Sequence, residues 1–197
     1  MATPPTFTSG AILTAAQMNA VGMWKITPTV SGTGVSVASN GDVVLAAAPE
    51  PYITAFNADY LNYRIICQLT AFSGSTASLT VRMASGTSAN TTAANYRNVG
   101  YEAGYSSASL SAVGNNGATA GWNVGRVDAS GQTSGFIMDI QSPFATEYTQ
   151  YSSVFRDFGV AGYQSGYLQV TTSYNTFNPR IGGSSTMTGR IEIYGYN

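Results

Sequence analysis

Carboxylates are the side chains of this sequence with the widest chemical scope, and there are nine of them. Two carboxyl groups facing each other across a groove can cleave a glycosidic bond, one as acid and the other as base or nucleophile. Glu102, Asp128, Asp139, Glu147 and Asp157 are the candidates. Asp139 sits between Met138 and Ile140 in an alternating stretch, which reads as a solvent-side carboxylate on a strand. The other catalytic chemistries lack their parts. The chain has no histidine, which removes the commonest general base and the commonest transition-metal ligand together. Nucleophilic triads and zinc sites go with it. Cys67 is the single cysteine; it alternates with Ile65 and Leu69 and reads as a plain buried thiol. Asp128-Ala129-Ser130-Gly131 reads as an Asx-type turn, with too few oxygens for calcium. Gly182-Gly183-Ser184-Ser185 lies between strands and does not open a helix as a phosphate loop must. The expectation is a protein with no catalytic residues, no metal and no cofactor, with a carboxylate-dependent glycan hydrolase as the enzymatic alternative.

Binding chemistry is better supplied. Thirteen tyrosines and two tryptophans offer flat apolar faces with polar tips, which suit sugar rings and protein interfaces alike. Tyr101, Tyr105, Tyr148, Tyr151, Tyr163 and Tyr167 lie in segments dense with Gly, Ser and Gln, and Trp122 follows a glycine. Each of these aromatics can equally fill the core, cover a sandwich edge or line a subunit contact, so no residue is assigned to a glycan.

The elements that must position these residues are strands and turns. In residues 61–72 the odd positions are apolar and the even ones carry Asn, Arg, Gln and Thr; residues 79–83 alternate in the same way. The loop Ser73-Gly74-Ser75-Thr76 between them is hairpin-sized. Further strands are expected at 34–39, 42–48, 51–57, 95–103, 106–113, 120–126, 135–141, 167–173 and 189–196. Asn40-Gly41-Asp42 and Asn116-Gly117 are tight-turn signals. Pro143 and Pro179 are expected to close strands, since proline cannot donate to a ladder. Short strands about every ten residues, with no crossover helices, predict an all-β antiparallel sandwich of jelly-roll type. The first 25 residues differ. A Pro/Thr/Ser-rich start leads into residues 13–22, where Thr14 and Gln17 form a capping box and Gly22 suits a C-terminal stop. That predicts one short helix, too small to stand alone. The expected division is an N-terminal segment at 1–25 and a β domain at 26–197.

Composition narrows the setting. The chain has 197 residues, 44% of them hydrophobic and only 9% charged, against roughly 25% charged in an ordinary soluble domain. Hydroxyls and amides carry the polar surface instead. Such a surface suits a subunit buried in an assembly, because the centres of interfaces are depleted in charge. Net charge is −1 and the basic residues are scattered singly, so no stripe gathers phosphates. No apolar run reaches membrane-spanning length, and the start lacks the pattern of a secretory signal. Synthesis in a cytoplasm is the expectation.

Phe7-Thr8-Ser9-Gly10-Ala11-Ile12-Leu13-Thr14-Ala15-Ala16-Gln17-Met18-Asn19 resembles the N-terminal segment of phage tail-fibre and minor structural proteins, written F-x-x-G-x-x-L-T-A-x-x-(L/M)-N. The closing stretch, Thr188 to Asn197, resembles the last strand of phage receptor-binding and head-fibre domains, written G-x-I-x-(V/I)-Y-G. Arg82 and Asn95-Tyr96-Arg97 are similar to the middle of such domains. The resemblance implies a virion protein (fibre, decoration or minor tail subunit) made in the host cytoplasm. It implies attachment through Phe7, Leu13, Thr14, Gln17 and Met18, a homotrimeric jelly roll, and contact of distal loops with a host surface. No long shaft separates the two ends, which suits a compact knob. A lectin-like carbohydrate-binding module without a virion role is the alternative.

Overall fold

The computed structural model describes residues 22–107, 109–129, 133–182 and 185–197. The strands are β1 (Trp24–Lys25), β2 (Thr29–Ser31), β3 (Val35–Val37), β4 (Val43–Ala48), β5 (Tyr52–Thr54), β6 (Asn62–Phe72), β7 (Ser75–Ser85) and β8 (Ser88–Ala89). They continue as β9 (Tyr96–Gly104), β10 (Leu110–Asn116), β11 (Trp122–Ala129), β12 (Ser134–Gln141), β13 (Gln150–Arg156), β14 (Val160–Leu168), β15 (Thr176–Ile181) and β16 (Met187–Tyr196). All pairings are antiparallel. The larger sheet runs β10-β9-β14-β13-β12-β6-β16-β4-β3, with β1 added to β16; the smaller runs β11-β7-β15-β5-β2, with β8 added to β7. The two pack as a sandwich, and the chain passes repeatedly from one sheet to the other. The expected short helix lies outside the described residues, as do Phe7, Leu13, Thr14, Gln17 and Met18. Trp24 and Lys25 pair with Gly195 and Tyr194, so the sandwich takes in these two residues as well.

The core is what the alternation of β6 demands. Tyr63, Ile65, Cys67 and Leu69 are buried, facing Leu79, Val81 and Met83 of β7 and Phe177 and Ile181 of β15 within one apolar cluster. Two expectations fail at the end of β6, for connected reasons. The odd-in pattern stops at Thr70, because the register with β16 jumps from Leu69↔Gly189 to Ala71↔Thr188. This bulge reverses the faces, so Phe72 turns inward. The following turn then carries the chain to the opposite sheet. β6 and β7 pair with other strands and not with each other, so the expected hairpin is a corner between sheets.

Pro143 follows β12, as expected, whereas Pro179 lies inside β15. It is tolerated there because the ladder from β15 to β5 stops at Phe177. Beyond that point the Asn178 side chain takes over, its Nδ2 donating to the Pro51 carbonyl at 3.0 Å. Gly41 and Gly117, at φ 85° and 76°, occupy the left-handed conformations that their turn signals require.

The expected strand at 167–173 is a correction of another kind. Only Tyr167 and Leu168 belong to a strand, the end of β14, while β13, most of β14 and β15 were not anticipated. β14 runs against the usual polarity, with Gln164 inward and buried and Tyr163 and Tyr167 outward, while β13 buries Ser153 between Tyr151 and Phe155 and turns Val154 outward. A pattern with polar residues inside and apolar ones outside does not read as a half-buried strand.

Candidate functional site: the outer face of the larger sheet

That inversion gives the outer face of the larger sheet its character. Register places Ile66 opposite Ile137, Ile137 opposite Val154, Val154 opposite Tyr163 and Tyr163 opposite Tyr101. Five neighbouring strands therefore contribute one continuous apolar row. Ile137, Val154, Tyr163 and Tyr101 are 46, 60, 36 and 49% exposed. Contiguous exposed apolar strips of this kind occur at protein interaction sites and ligand grooves.

A trough of ≈ 900 Å³ opens over part of the row, with Ile66, Ile137 and Val154 in its lining. Gly135 and Ala161 contribute to its lining and leave it deep, while Phe158 and Tyr105 stand at its rim. Both rim residues sit in turns and are largely exposed. The turns are tied together, with the Tyr105 N–H donating to the Gly159 carbonyl at 3.0 Å. Asp157 fixes one of them, its Oδ1 accepting from the N–H groups of Gly159 and Val160 at 2.8 and 2.7 Å. Arg190 lines the opposite flank, with its Nε donating to Gln68 Oε1 at 3.1 Å.

Three of the five candidate carboxylates are held in ion pairs with arginine. Asp139 is gripped by Arg64, Nε to Oδ1 and Nη2 to Oδ2, both at 2.8 Å, which accords with its outward placing. Glu102 and Asp157 do come together, but around Arg126, whose guanidinium lies 3.3 Å from Glu102 Oε1 and 3.8 Å from Asp157 Oδ2. A guanidinium between two carboxylates fills the space where an acid–base pair would need substrate or water. Glu147 is exposed. Asp128 falls inside β11 instead of opening a turn, and its side chain is outside the described set. Among the described residues no group of three or more Asp, Glu, Cys or His could hold a metal ion, and no helix is long and apolar enough to cross a membrane. Burial pushes the Cys67 thiol up to about 12, consistent with an inert core residue.

The aromatic candidates divide cleanly. Trp122 and Tyr151 are core: their rings stack at 4.6 Å, Trp122 Nε1 donates to the Tyr167 carbonyl at 3.1 Å, and burial raises the Tyr151 hydroxyl far above its ordinary value. The others, Tyr101, Tyr105, Tyr148, Tyr163 and Tyr167, are exposed. Tyr101 lies 6.0 Å from Tyr163 and Tyr148 lies 6.2 Å from Tyr167, ring centre to ring centre. Sequence reasoning missed Ile66, Ile137, Val154 and Phe158, because an aliphatic residue on a strand reads as core until register shows which way it points.

No family model matches the chain, and no curated protein matches it. Among solved structures it is similar to a Lotus tetragonolobus seed lectin (isoform), at 9% identity and a TM-score of 0.29, over 87% of this chain and 94% of that one.

Proposed function

We propose that this chain is a non-enzymatic structural subunit of a bacteriophage particle, a fibre, decoration or minor tail protein, that self-associates through the outer face of its larger sheet. The observation that carries the self-association is the row Ile66–Ile137–Val154–Tyr163–Tyr101, in register and largely open to solvent. A second copy is the fitting cover, since a surface poor in charge meets itself without like-charge repulsion. The virion role rests on the resemblance of residues 7–19 and 188–197, which also implies three copies and attachment through the N-terminal segment.

The test is native mass by light scattering on the full-length chain and on Val154→Lys. A native mass of three copies or a multiple of three, at 20.5 kDa each, that falls when the row receives a charge supports the reading. A wild-type monomer overturns it.

A lectin-like module is the second reading, favoured by the two exposed tyrosine pairs. It predicts affinity of the soluble chain for a defined glycan, lost in Tyr101→Ala or Tyr148→Ala.

A further inference from the structure

Sheets end in strands with unpaired backbone groups, and proteins ordinarily blunt those ends by shortness, charge, proline or a bulge. Three of the four ends of the described sheets follow that rule. β3 and β2 are three residues long. β11 is longer but carries Arg126 and a break in register between Asn123 and Gly125. β10 is the exception. It runs for seven residues, Leu110-Ser111-Ala112-Val113-Gly114-Asn115-Asn116, with no charge and no proline, and its register with β9 is unbroken. Leu110 is 70% exposed.

We propose that β10 is a docking edge for a second copy of this chain, the two β10 strands pairing antiparallel about Val113 across a two-fold axis. Val113 then faces the partner's Val113, Ala112 the partner's Gly114, and Ser111 the partner's Asn115. The strand suits itself in three ways. It is neutral, so self-pairing brings no like charges together. Its outward residues at the joint, Ala112 and Gly114, are small, leaving room for Tyr101 and Val99, which stand opposite them on β9. Its far end is held ready by side-chain bonds. Asn115 Nδ2 donates to the carbonyls of Thr119 and Gly121 at 2.9 and 3.2 Å, and its Oδ1 accepts from Ala118 N–H at 2.6 Å. Arg97 Nη1 donates to Asn116 Oδ1 at 2.7 Å. These bonds fix only this end of the strand, which gives up little freedom on pairing, while the Leu110 end is left to be ordered by the contact.

The edge adjoins the face proposed above for self-association at Tyr101, but its backbone pairing does not require that face. Face-joined trimers pair through it to six copies, and a chain whose face contact fails still pairs to two. The copy number is therefore even in either case.

The experiment uses full-length chain and the charge variants Val113→Lys and Val113→Glu, alone and mixed. Because residue 113 meets its own counterpart, each variant alone is expected to halve the native mass, and an equimolar mixture to restore it. Wild-type mass in either variant alone, a mixture that stays at half mass, or an odd wild-type copy number overturns the proposal. Wild-type monomer does so too, and leaves the edge to a strand of another protein. If a variant fails to fold, hydrogen exchange on the wild type decides: protection of β10 amides that falls on dilution supports the pairing, and protection independent of concentration sinks it.

Discussion

Arg64 and Asp139 stand directly opposite one another on β6 and β12, and the guanidinium of one grips the carboxylate of the other through two parallel 2.8 Å bonds. Planar two-point contacts of this kind fix direction as well as distance. The pair sits on the outer face one row from the apolar strip, beside Tyr194 on β16, and pins the register that aligns the strip.

Both partners are partly exposed, so the coupling is modest. A double-mutant cycle with Arg64→Ala and Asp139→Ala is expected to return about 0.5–1 kcal/mol by urea unfolding. A coupling of zero would mean the register is held by the backbone and core alone.

Glycines 189 and 195, which belong to the closing pattern of the chain, have steric reasons for their identity. A Cβ on Gly189 would overlap the Gln68 carbonyl oxygen, and one on Gly195 would overlap the Tyr60 ring. That ring stacks on Trp24 at 5.8 Å. Gly195→Ala should cost about 1–3 kcal/mol, measured by thermal or chemical unfolding. Adding Tyr60→Ala should recover part of the loss, whereas Gly189→Ala, opposed by backbone, should gain nothing from it.

Trp122 is fully buried, stacked on Tyr151 and edge-on to Tyr96 at 5.7 Å. Trp122→Ala should destabilise by about 3–5 kcal/mol. Denaturant midpoints of the variant and wild type check it.

The Lys25–Asp42 ion pair ties β1 to the residue before β4 and gives a pH dependence. The hydrogen bond from Lys25 holds the Asp42 carboxyl below its ordinary 3.8, so its contribution is present above that value and lost as pH falls below it. The same bond raises Lys25 above 10.5, so the contribution is also lost as pH climbs past that limit. Asp42→Asn should lower stability between these limits and narrow its gap from wild type on the acid side. Unfolding midpoints across pH 2–9 are the measurement; a gap unchanged down to pH 2 would exclude the pair as its source.

Removing residues 1–22 should leave a chain that unfolds at the wild-type midpoint, because every buried apolar residue of the described core lies from Val43 onward. On the particle role proposed above, the shortened chain should no longer join particles. Incorporation at normal copy number would remove the N-terminal segment from the attachment role.

How much of this was legible beforehand depended on which way polarity ran. β4, β6, β12 and β16 alternate with apolar residues inward, and the sequence reads them nearly end to end. β14 alternates the other way, burying Gln164 and exposing Tyr163 and Tyr167, and β13 mixes its faces, with Ser153 buried between Tyr151 and Phe155 and Val154 exposed, so neither reads as a regular half-buried strand. The property that hid them is the one that builds the apolar row. β15 hid differently: its residues are buried on nearly every position and interrupted by a proline, a pattern without period. Trp122 and the exposed tyrosines looked alike in composition, and only the facing strands separate core from surface.

At one end of the larger sheet lie β9 and β10, which β11 touches more lightly than it touches β12, β13 and β14. On this flank the interior is amide and hydroxyl: Asn98, Asn115, Gln164 and Ser153 are buried, Ser153 Oγ donates to the Val124 carbonyl of β11 at 2.8 Å, and Gln164 Nε2 has no hydrogen-bond partner among the described residues. One flank of the molecule is thus packed with apolar side chains, the other largely with amides and hydroxyls. Breathing motions should begin at β10, spread to β9 and stop at the β6–β16 centre. The margin that opens first is the same margin left unguarded against pairing, so assembly would supply rigidity where the isolated chain has least of its own.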